Sequence, residues 1–348
     1  MPYQDAITFE ELYKASQECA KGVRWKDSVQ EYLRDPLRRT MRLHKDLVSG
    51  KYRISPYIRF FVTEPKRREI VATRFRDRVF QRSMCNNGLY HQLTHGFIYD
   101  NGACLNGKGV DFCRNRLKTH LNKFYRKHGV DGWVLKLDIK SFFGSIPHHV
   151  AKAAVAKRVK DPDMVKAVFD IIDSFANPDP VGIALGSQTS QLIALAVLDD
   201  LDHLIKERMH IKHYVRYMDD MVLLHEDKAH LQECWKQIDS WVESRGMQLK
   251  HTSTLYPLKQ GIIFLKRRYI FAKSGKLLVK MLHKSITRER RKLRALKRLV
   301  DAGKLALKDV HDHLVAWSSG FRHADSRQLL INIFAYARQL FIEELQYA

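Results

Sequence analysis

The stretch Tyr214-Val215-Arg216-Tyr217-Met218-Asp219-Asp220-Met221-Val222-Leu223-Leu224 constrains this chain more than any other. Two short apolar arms flank an acidic tip, the pattern of a tight hairpin with buried strands. Aspartate favours turns, so the acidic pair alone is compatible with a plain turn. A second acid sharpens the reading. Trp133-Val134-Leu135-Lys136-Leu137-Asp138-Ile139 reads as a strand with Leu135, Leu137 and Ile139 on one face. Asp138 lies on the other face with Lys136 and Val134. Like charges brought together in an apolar setting repel, and a divalent cation resolves the conflict. Hard carboxylates suit Mg²⁺, which keeps some waters and accepts phosphate oxygens for the rest of its octahedron. Two such ions about 3.5–4 Å apart activate a 3′-hydroxyl and stabilise a leaving pyrophosphate.

The remaining pattern predicts a mixed chain without repeats. Residues 1–50 read as helices, with Val29, Leu33 and Leu37 recurring at spacing four and Leu43 and Leu47 continuing the stripe. Residues 52–63 carry β-branched and aromatic side chains. The charged cluster Glu64-Pro65-Lys66-Arg67-Arg68-Glu69 and the run Ile70-Val71-Ala72 follow, which reads as a hairpin with a basic tip. Helices are predicted over 77–90, 112–125, 189–209 and 228–245, with two more around Asp161-Pro162-Asp163. Residues 94–110 read as a loop, Gly129-Val130-Asp131-Gly132 as a turn, and 261–265 and 269–271 as strands. The end is helical, with stripes Ile286/Leu293/Leu296/Val300, Val310/Leu314/Trp317 and Leu329/Ile333/Tyr336/Leu340. Basic residues crowd between members of the first stripe, giving a small bundle with one cationic side.

At 348 residues and 45% hydrophobic, the chain suits two or three subdomains sharing one site. Lys plus Arg total 61 against 38 Asp plus Glu, a formal charge of +23. Such a surplus favours a polyanionic partner, because phosphate contacts release condensed counterions. Cys19, Cys85, Cys104, Cys113 and Cys234 form no CxxC pair and no zinc-type cluster, which predicts reduced thiols. Polar and acidic residues after Met1 do not form a signal peptide, and no apolar run approaches about 20 residues. These features predict a soluble cytoplasmic protein with no membrane partner.

The motifs together resemble the reverse transcriptases. Tyr217-Met218-Asp219-Asp220 is similar to their Tyr-x-Asp-Asp signature, and Leu137-Asp138-Ile139-Lys140-Ser141-Phe142-Phe143-Gly144-Ser145-Ile146 to their first catalytic strand in its bacterial form. Glu64 to Ile70 resembles the fingers hairpin, Asp77-Arg78-Val79 the helix after it, and the segment from Gly182 to Gln191 the substrate-positioning loop. The resemblance covers roughly residues 50–265, with the motifs in the family's order. It implies an α+β right-hand polymerase fold, with N-terminal helices and fingers over 1–130, a palm over 131–281 that includes the loop and helix 182–209, and a basic helical thumb over 282–348.

The resemblance also implies roles. Asp138, Asp219 and Asp220 would be catalytic and would hold two Mg²⁺ ions (Mn²⁺ substituting) with the backbone carbonyl of Ile139, Asp220 being the auxiliary carboxylate. Lys66 and Arg68 would contact the incoming deoxynucleoside triphosphate, and Phe143 would be the gate against a ribose 2′-hydroxyl. Leu185, Gly186 and Gln191 would position the nascent pair, and Arg288, Arg291, Lys292, Arg294 and Arg298 would bind nucleic acid. Implied partners are an RNA template, a DNA primer and product, dNTPs, and a structured noncoding RNA, a small accessory protein or both.

Most members carry Gln before Gly186 and Pro after Ser190, where this chain has Leu185 and Gln191. That variant resembles the enzymes of diversity-generating retroelements and related antiphage-defence lineages. The reading is therefore an RNA-directed DNA polymerase of a diversity-generating retroelement. The alternatives are a defence enzyme copying a cognate noncoding RNA and a catalytically silent RNA-binding protein. Phe264-Leu265-Lys266 departs from the family's Phe-Leu-Gly, and Thr252-Ser253-Thr254 lacks the lysine relatives often carry there. Both departures bear on primer contacts rather than on the acids.

Overall fold

The computed structural model describes residues 2–63, 67–175, 179–321 and 323–342. The chain opens with helices α1 (Tyr3–Ala6), α2 (Phe9–Ala20), α3 (Asp27–Leu33) and α4 (Pro36–Val48). Strands β1 (Ile58–Val62) and β2 (Arg68–Ala72) form an antiparallel hairpin with Ile58 opposite Ala72 and Val62 opposite Arg68. Then come α5 (Phe75–Met84), α6 (Tyr90–Thr94), α7 (Val110–His128), β3 (Trp133–Leu137), α8 (Phe142–Ser145), α9 (His148–Ala156) and α10 (Pro162–Asp173). Helices α11 (Gln188–Val197) and α12 (Asp199–His203) precede the strands β4 (His213–Tyr217) and β5 (Asp220–His225) and the helix α13 (Lys228–Glu243). The last elements are β6 (Thr254–Pro257), β7 (Ile262–Phe264), β8 (Arg267–Phe271), β9 (Leu277–Met281), α14 (His283–Asp301), α15 (Leu307–Ser319) and α16 (Arg327–Leu340).

Strand order in the central sheet is β4-β5-β3-β6. That order places the β4–β5 turn, which carries Asp219, next to the end of β3, one residue before Asp138. By compactness the chain divides into two units interleaved in sequence. One holds residues 1–113, 136–223 and 229–254, and the other 114–135, 224–228 and 255–348.

In the first unit α2 packs on α4 and α5, and α11 on α5, α6 and α9. Leu12, Leu43, Val79, Met84 and Ile193 are fully buried in its core. Burying each such side chain contributes about 1.5–3 kcal/mol. Pro36 at the first turn of α4 and Pro162 at that of α10 sit where a missing N–H costs nothing, and Asp35 and Asp161 cap both helices. Asp77 on α5 is fully buried and accepts from Tyr52 Oη (2.8 Å) and Ser55 N (3.1 Å), tying α5 to the approach of β1.

In the second unit β7-β8-β9 form an antiparallel sheet. Ile286, Leu293, Leu296, Val310, Leu314 and Ile333 join in one core between α14, α15 and α16. The three apolar stripes of the sequence meet there. Strand β9 has no counterpart in the sequence reading, since Leu277-Leu278-Val279 is too short a run to show alternation. Asp325 and Ser326 accept from its Val279 and Met281 N–H groups, at 2.8 and 3.0 Å, and so protect its edge.

Three predicted elements differ. The helix over 189–209 breaks at Leu198 and ends in a wide π-type turn over Leu204–Arg208. The helix over 77–90 starts at Phe75 and is interrupted where Gly88 takes φ 115°. Strand β3 is buried at both Val134 and Leu135, so its two faces are apolar there and only the Lys136 end is polar. Among the described residues all five cysteines are free thiols, and no helix is long and apolar enough to cross a membrane.

Candidate active site

The β4–β5 hairpin is fixed from behind by a buried arginine. Arg216 and Asp202 are both fully buried. Arg216 donates from Nε (2.7 Å) and Nη2 (2.5 Å) to the two oxygens of Asp202. Tyr214 Oη donates to the same carboxylate at 2.6 Å. The remaining arm, Nη1, donates to the carbonyl of Met218 at 3.0 Å. Met218 occupies the left-handed region at φ 54°, an uncommon state for a residue with a side chain. The guanidinium therefore holds the strained residue immediately before Asp219. Planar, permanently charged geometry lets one group bind a carboxylate twice and a carbonyl once.

Asp138, one residue past β3, and Asp219, in the β4–β5 turn, are close enough for their carboxyls to interact. Burial first, and then the Asp138 charge, lift Asp219 to about 7. Burial lifts Asp220 to about 6, against the pull of Lys136. Lys136 Nζ lies 3.5 Å from Asp220 Oδ1, and that buried oxygen accepts no hydrogen bond. Lys250 Nζ donates to both oxygens of Asp138, at 2.8 and 2.7 Å, and its backbone N–H donates to the Asp138 carbonyl at 2.7 Å. Two lysines thus offset charge at Asp138 and Asp220, while no lysine bonds Asp219 directly among the described residues.

The backbone beside Asp138 is also arranged. Lys140 N donates to Gln248 O, and Lys250 N to Asp138 O, around the antiparallel bridge Ile139–Leu249. In that register the N–H and C=O of Ile139 face away from residues 248–250. Among the described residues no group of three or more His, Cys, Asp or Glu side chains is gathered tightly enough to be a ready-made cation site. The donor set still fits a divalent ion. A close pair of hard carboxylates and a third with an oxygen that accepts no hydrogen bond are groups that a cation would satisfy, in place of the two lysines that now offset their charge.

The other sequence candidates fall around this centre as follows. Phe143 is half-buried on α8, its carbonyl accepting from Ile183 N at 2.8 Å, while neighbouring Phe142 is in the core. Gly182 N donates to Ile146 O at 2.8 Å, so the segment after Asp138 is laced to the loop before α11. Gly186 sits at φ 115°, and a Cβ there would lie 3.6 Å from the carbonyl of Val71 on β2. Leu185 and Gln191 are half-buried. Ser187 caps α11 and donates to the buried Gln81 Oε1 at 2.5 Å. Lys66 lies outside the described residues, and so does the side chain of Arg68.

Residues 66–256, more than half of the chain, match the family described as Reverse transcriptase (RNA-dependent DNA polymerase). The chain belongs to the reverse transcriptase family. Its α+β architecture is the family's right-hand polymerase fold, and the family uses divalent metal ions. Protein YkfC of Escherichia coli (strain K12) is 23% identical over 180 residues, 48% of this chain and 45% of that protein. The chain thus spans less than half the length of this curated relative.

The predicted basic residues of α14 share a surface. Arg288, Arg291, Lys292, Arg294 and Arg298 are all exposed, while Ile286, Leu293 and Leu296 face the helical core. Sequence reasoning missed Lys250, Arg216 and Asp202. Lys136 carried a signal, its two-residue offset from Asp138 along one strand face. Lys250 lies 112 positions from its partner and gave none.

Proposed function

We propose that this chain copies RNA into DNA by nucleotidyl transfer at the centre formed by Asp138, Asp219 and Asp220. The observation that carries the proposal is the pairing of β5 with β3, which brings the turn bearing Asp219 beside Asp138 in a half-buried place. Asp138, Asp219, Asp220 and the Ile139 carbonyl would hold two Mg²⁺ ions, for which Mn²⁺ substitutes. When bound, the ions supply Lewis acidity to the primer 3′-hydroxyl and the leaving pyrophosphate.

The chain's own groups do the rest. Lys250 and Lys136 keep the acids in place before the ions arrive. Phe143 occupies the space of a 2′-hydroxyl, and Lys66 and Arg68 offset the triphosphate charge. Leu185, Gly186 and Gln191 bear on the nascent pair, and the cationic face of α14 binds the nucleic acid backbone. The substrates are an RNA template, a DNA primer and dNTPs. Leu185 and Gln191 favour service in a diversity-generating retroelement, with a structured noncoding RNA or a small accessory protein as partner. The antiphage-defence alternative shares all of this chemistry.

Primer extension on an RNA template with Mg²⁺ and dNTPs tests the proposal. Wild type extends and Asp219→Ala does not, although the variant folds at least as stably once the buried repulsion is gone. Equal extension by both proteins removes the assignment.

A further inference from the structure

The start of α4 carries charge that its own stability opposes. Arg38 and Arg39 fall in the first turn and Arg42 in the next. The N-terminal end of a helix is the positive end of its dipole, so each cation there costs about 0.3–1 kcal/mol. Arg38 and Arg42 are also four apart, where like charges face one another. The carboxylate at this end, Asp35, is engaged as the cap, its Oδ1 accepting from Arg38 N at 3.3 Å.

Arg76 from α5 completes the cluster. With Arg38, Arg39, Arg42, Tyr32 and Asp35 it lines a concavity of about 430 Å³. Tyr32 is a rigid part of that lining, since its ring packs edge-on against Phe75 and its hydroxyl bonds Thr40 at 3.0 Å. Arg39 pairs with Glu31 at 3.2 Å and Arg76 with Asp46 at 2.6 Å. Among the described residues no acid pairs with Arg38 or Arg42, and both are exposed.

An ordinary solvated basic face alternates its charges and is convex. Here dipole, like-charge contact and concavity coincide, and an anion relieves the first two at once. Guanidinium forks, a helix N-terminus and several cations in one hollow match phosphate. In the turn before α3, Trp25 is 72% exposed, with Lys26 Nζ 5.3 Å from its ring centre, a surface on which a base can stack. Arginines spread around the hollow suit the successive phosphates of a strand rather than one free phosphate.

We propose that the arginine hollow at the start of α4 binds the phosphate backbone of an RNA strand, at a site sharing no residue with the carboxylate centre. Anisotropy of a labelled single-stranded RNA on the full chain, without Mg²⁺ or dNTPs, tests this. The variant is Arg38→Gln with Arg42→Gln. Two lost phosphate contacts lower the slope of log K against log salt by about 1.4, roughly a 25-fold loss at 0.1 M relative to 1 M salt. The melting temperature stays level or rises, because the dipole conflict is gone. The Arg38→Lys, Arg42→Lys protein keeps most of the slope and loses part of the affinity. The readout is RNA binding without Mg²⁺ or dNTPs and not extension, so this test stands apart from the polymerase reading. An unchanged slope overturns the proposal. A lower melting temperature with RNA binding intact assigns the arginines to folding and also overturns it. So does loss of inorganic triphosphate binding with RNA unaffected, which makes the hollow a small-ligand site.

Discussion

Arg216 links the stability of the molecule to the placement of one acid. Replacing it with Met leaves the fully buried Asp202 without its charge partner, which costs about 3–5 kcal/mol. That loss alone does not separate folding from positioning. The triple variant Arg216→Met, Asp202→Leu, Tyr214→Phe does, because it removes the pair and the hydroxyl that serves it, and apolar replacement of a buried ion pair is often neutral. Thermal stability should return to near wild type while the Met218 carbonyl remains without its donor. Primer extension should stay at least about tenfold down, as a loss of about 1.4 kcal/mol in placing Asp219 implies. Full recovery of activity with stability would make the arginine a packing residue only. Phe143 poses a simpler question at this scale. Phe143→Ala should incorporate ribonucleotides that wild type rejects, and unchanged sugar selectivity in the same extension assay rules the gate out. Asp138, Asp219 and Asp220 were legible because acids inside apolar runs are costly and therefore conspicuous. Arg216 looked like any strand cation, because its partner comes from a helix whose break the periodicity did not show.

Among the elements, the loop from Gly182 to Gln191 is the most closely determined. Gly182 and Gly186 both take positive φ, Ser187 caps α11 and bonds Gln81, and Ile183 is held by the Phe143 carbonyl. Leu185 is thus presented on a fixed backbone, and under the proposed function its side chain would face the nascent pair. An amide in its place could donate or accept one hydrogen bond, worth about 0.5–1.5 kcal/mol. Leu185→Gln should lower misincorporation opposite template adenine by about two- to tenfold, read by sequencing the cDNA, with extension itself retained. An unchanged error spectrum would separate the loop from fidelity. The loop was readable because glycines and a capping serine are local signals. So were the β1–β2 and β4–β5 hairpins and the stripes of α14 to α16. What failed was non-local. Periodicity ran straight through Leu198 because both halves of the helix are apolar, and β9 exists through pairing with β8 and through Asp325 and Ser326, which no window on residues 277–281 contains.

For the whole molecule, the carboxylate centre should be visible in folding stability before any catalysis is measured. Asp219 is raised to about 7 and Asp220 to about 6, so without divalent ions the folded protein holds protons that the unfolded chain has released above about pH 4. Protonated acids are the form the fold prefers. Their contribution is therefore complete below pH 4 and is lost as pH rises to about 7. Asp138 faces Asp219 and enlarges the loss, while Lys250 and Lys136 reduce it. Because the site is only partly shielded from water, the net effect is on the order of 1–3 kcal/mol, about 2–6 °C in melting temperature. Other groups titrate over the same range, so the diagnostic quantity is the difference between wild type and Asp219→Asn with Asp220→Asn. Calorimetry in a chelating buffer should show wild type losing stability from pH 5 to 7 more steeply than the variant. Lys250→Met should steepen it further, since it withdraws the cation bonded to both Asp138 oxygens. Mg²⁺ should flatten the wild-type curve and leave the Asn variant unmoved. Parallel curves for wild type and variant, with and without Mg²⁺, would mean that the three acids do not act as one charged centre, and the polymerase reading would lose its physical basis.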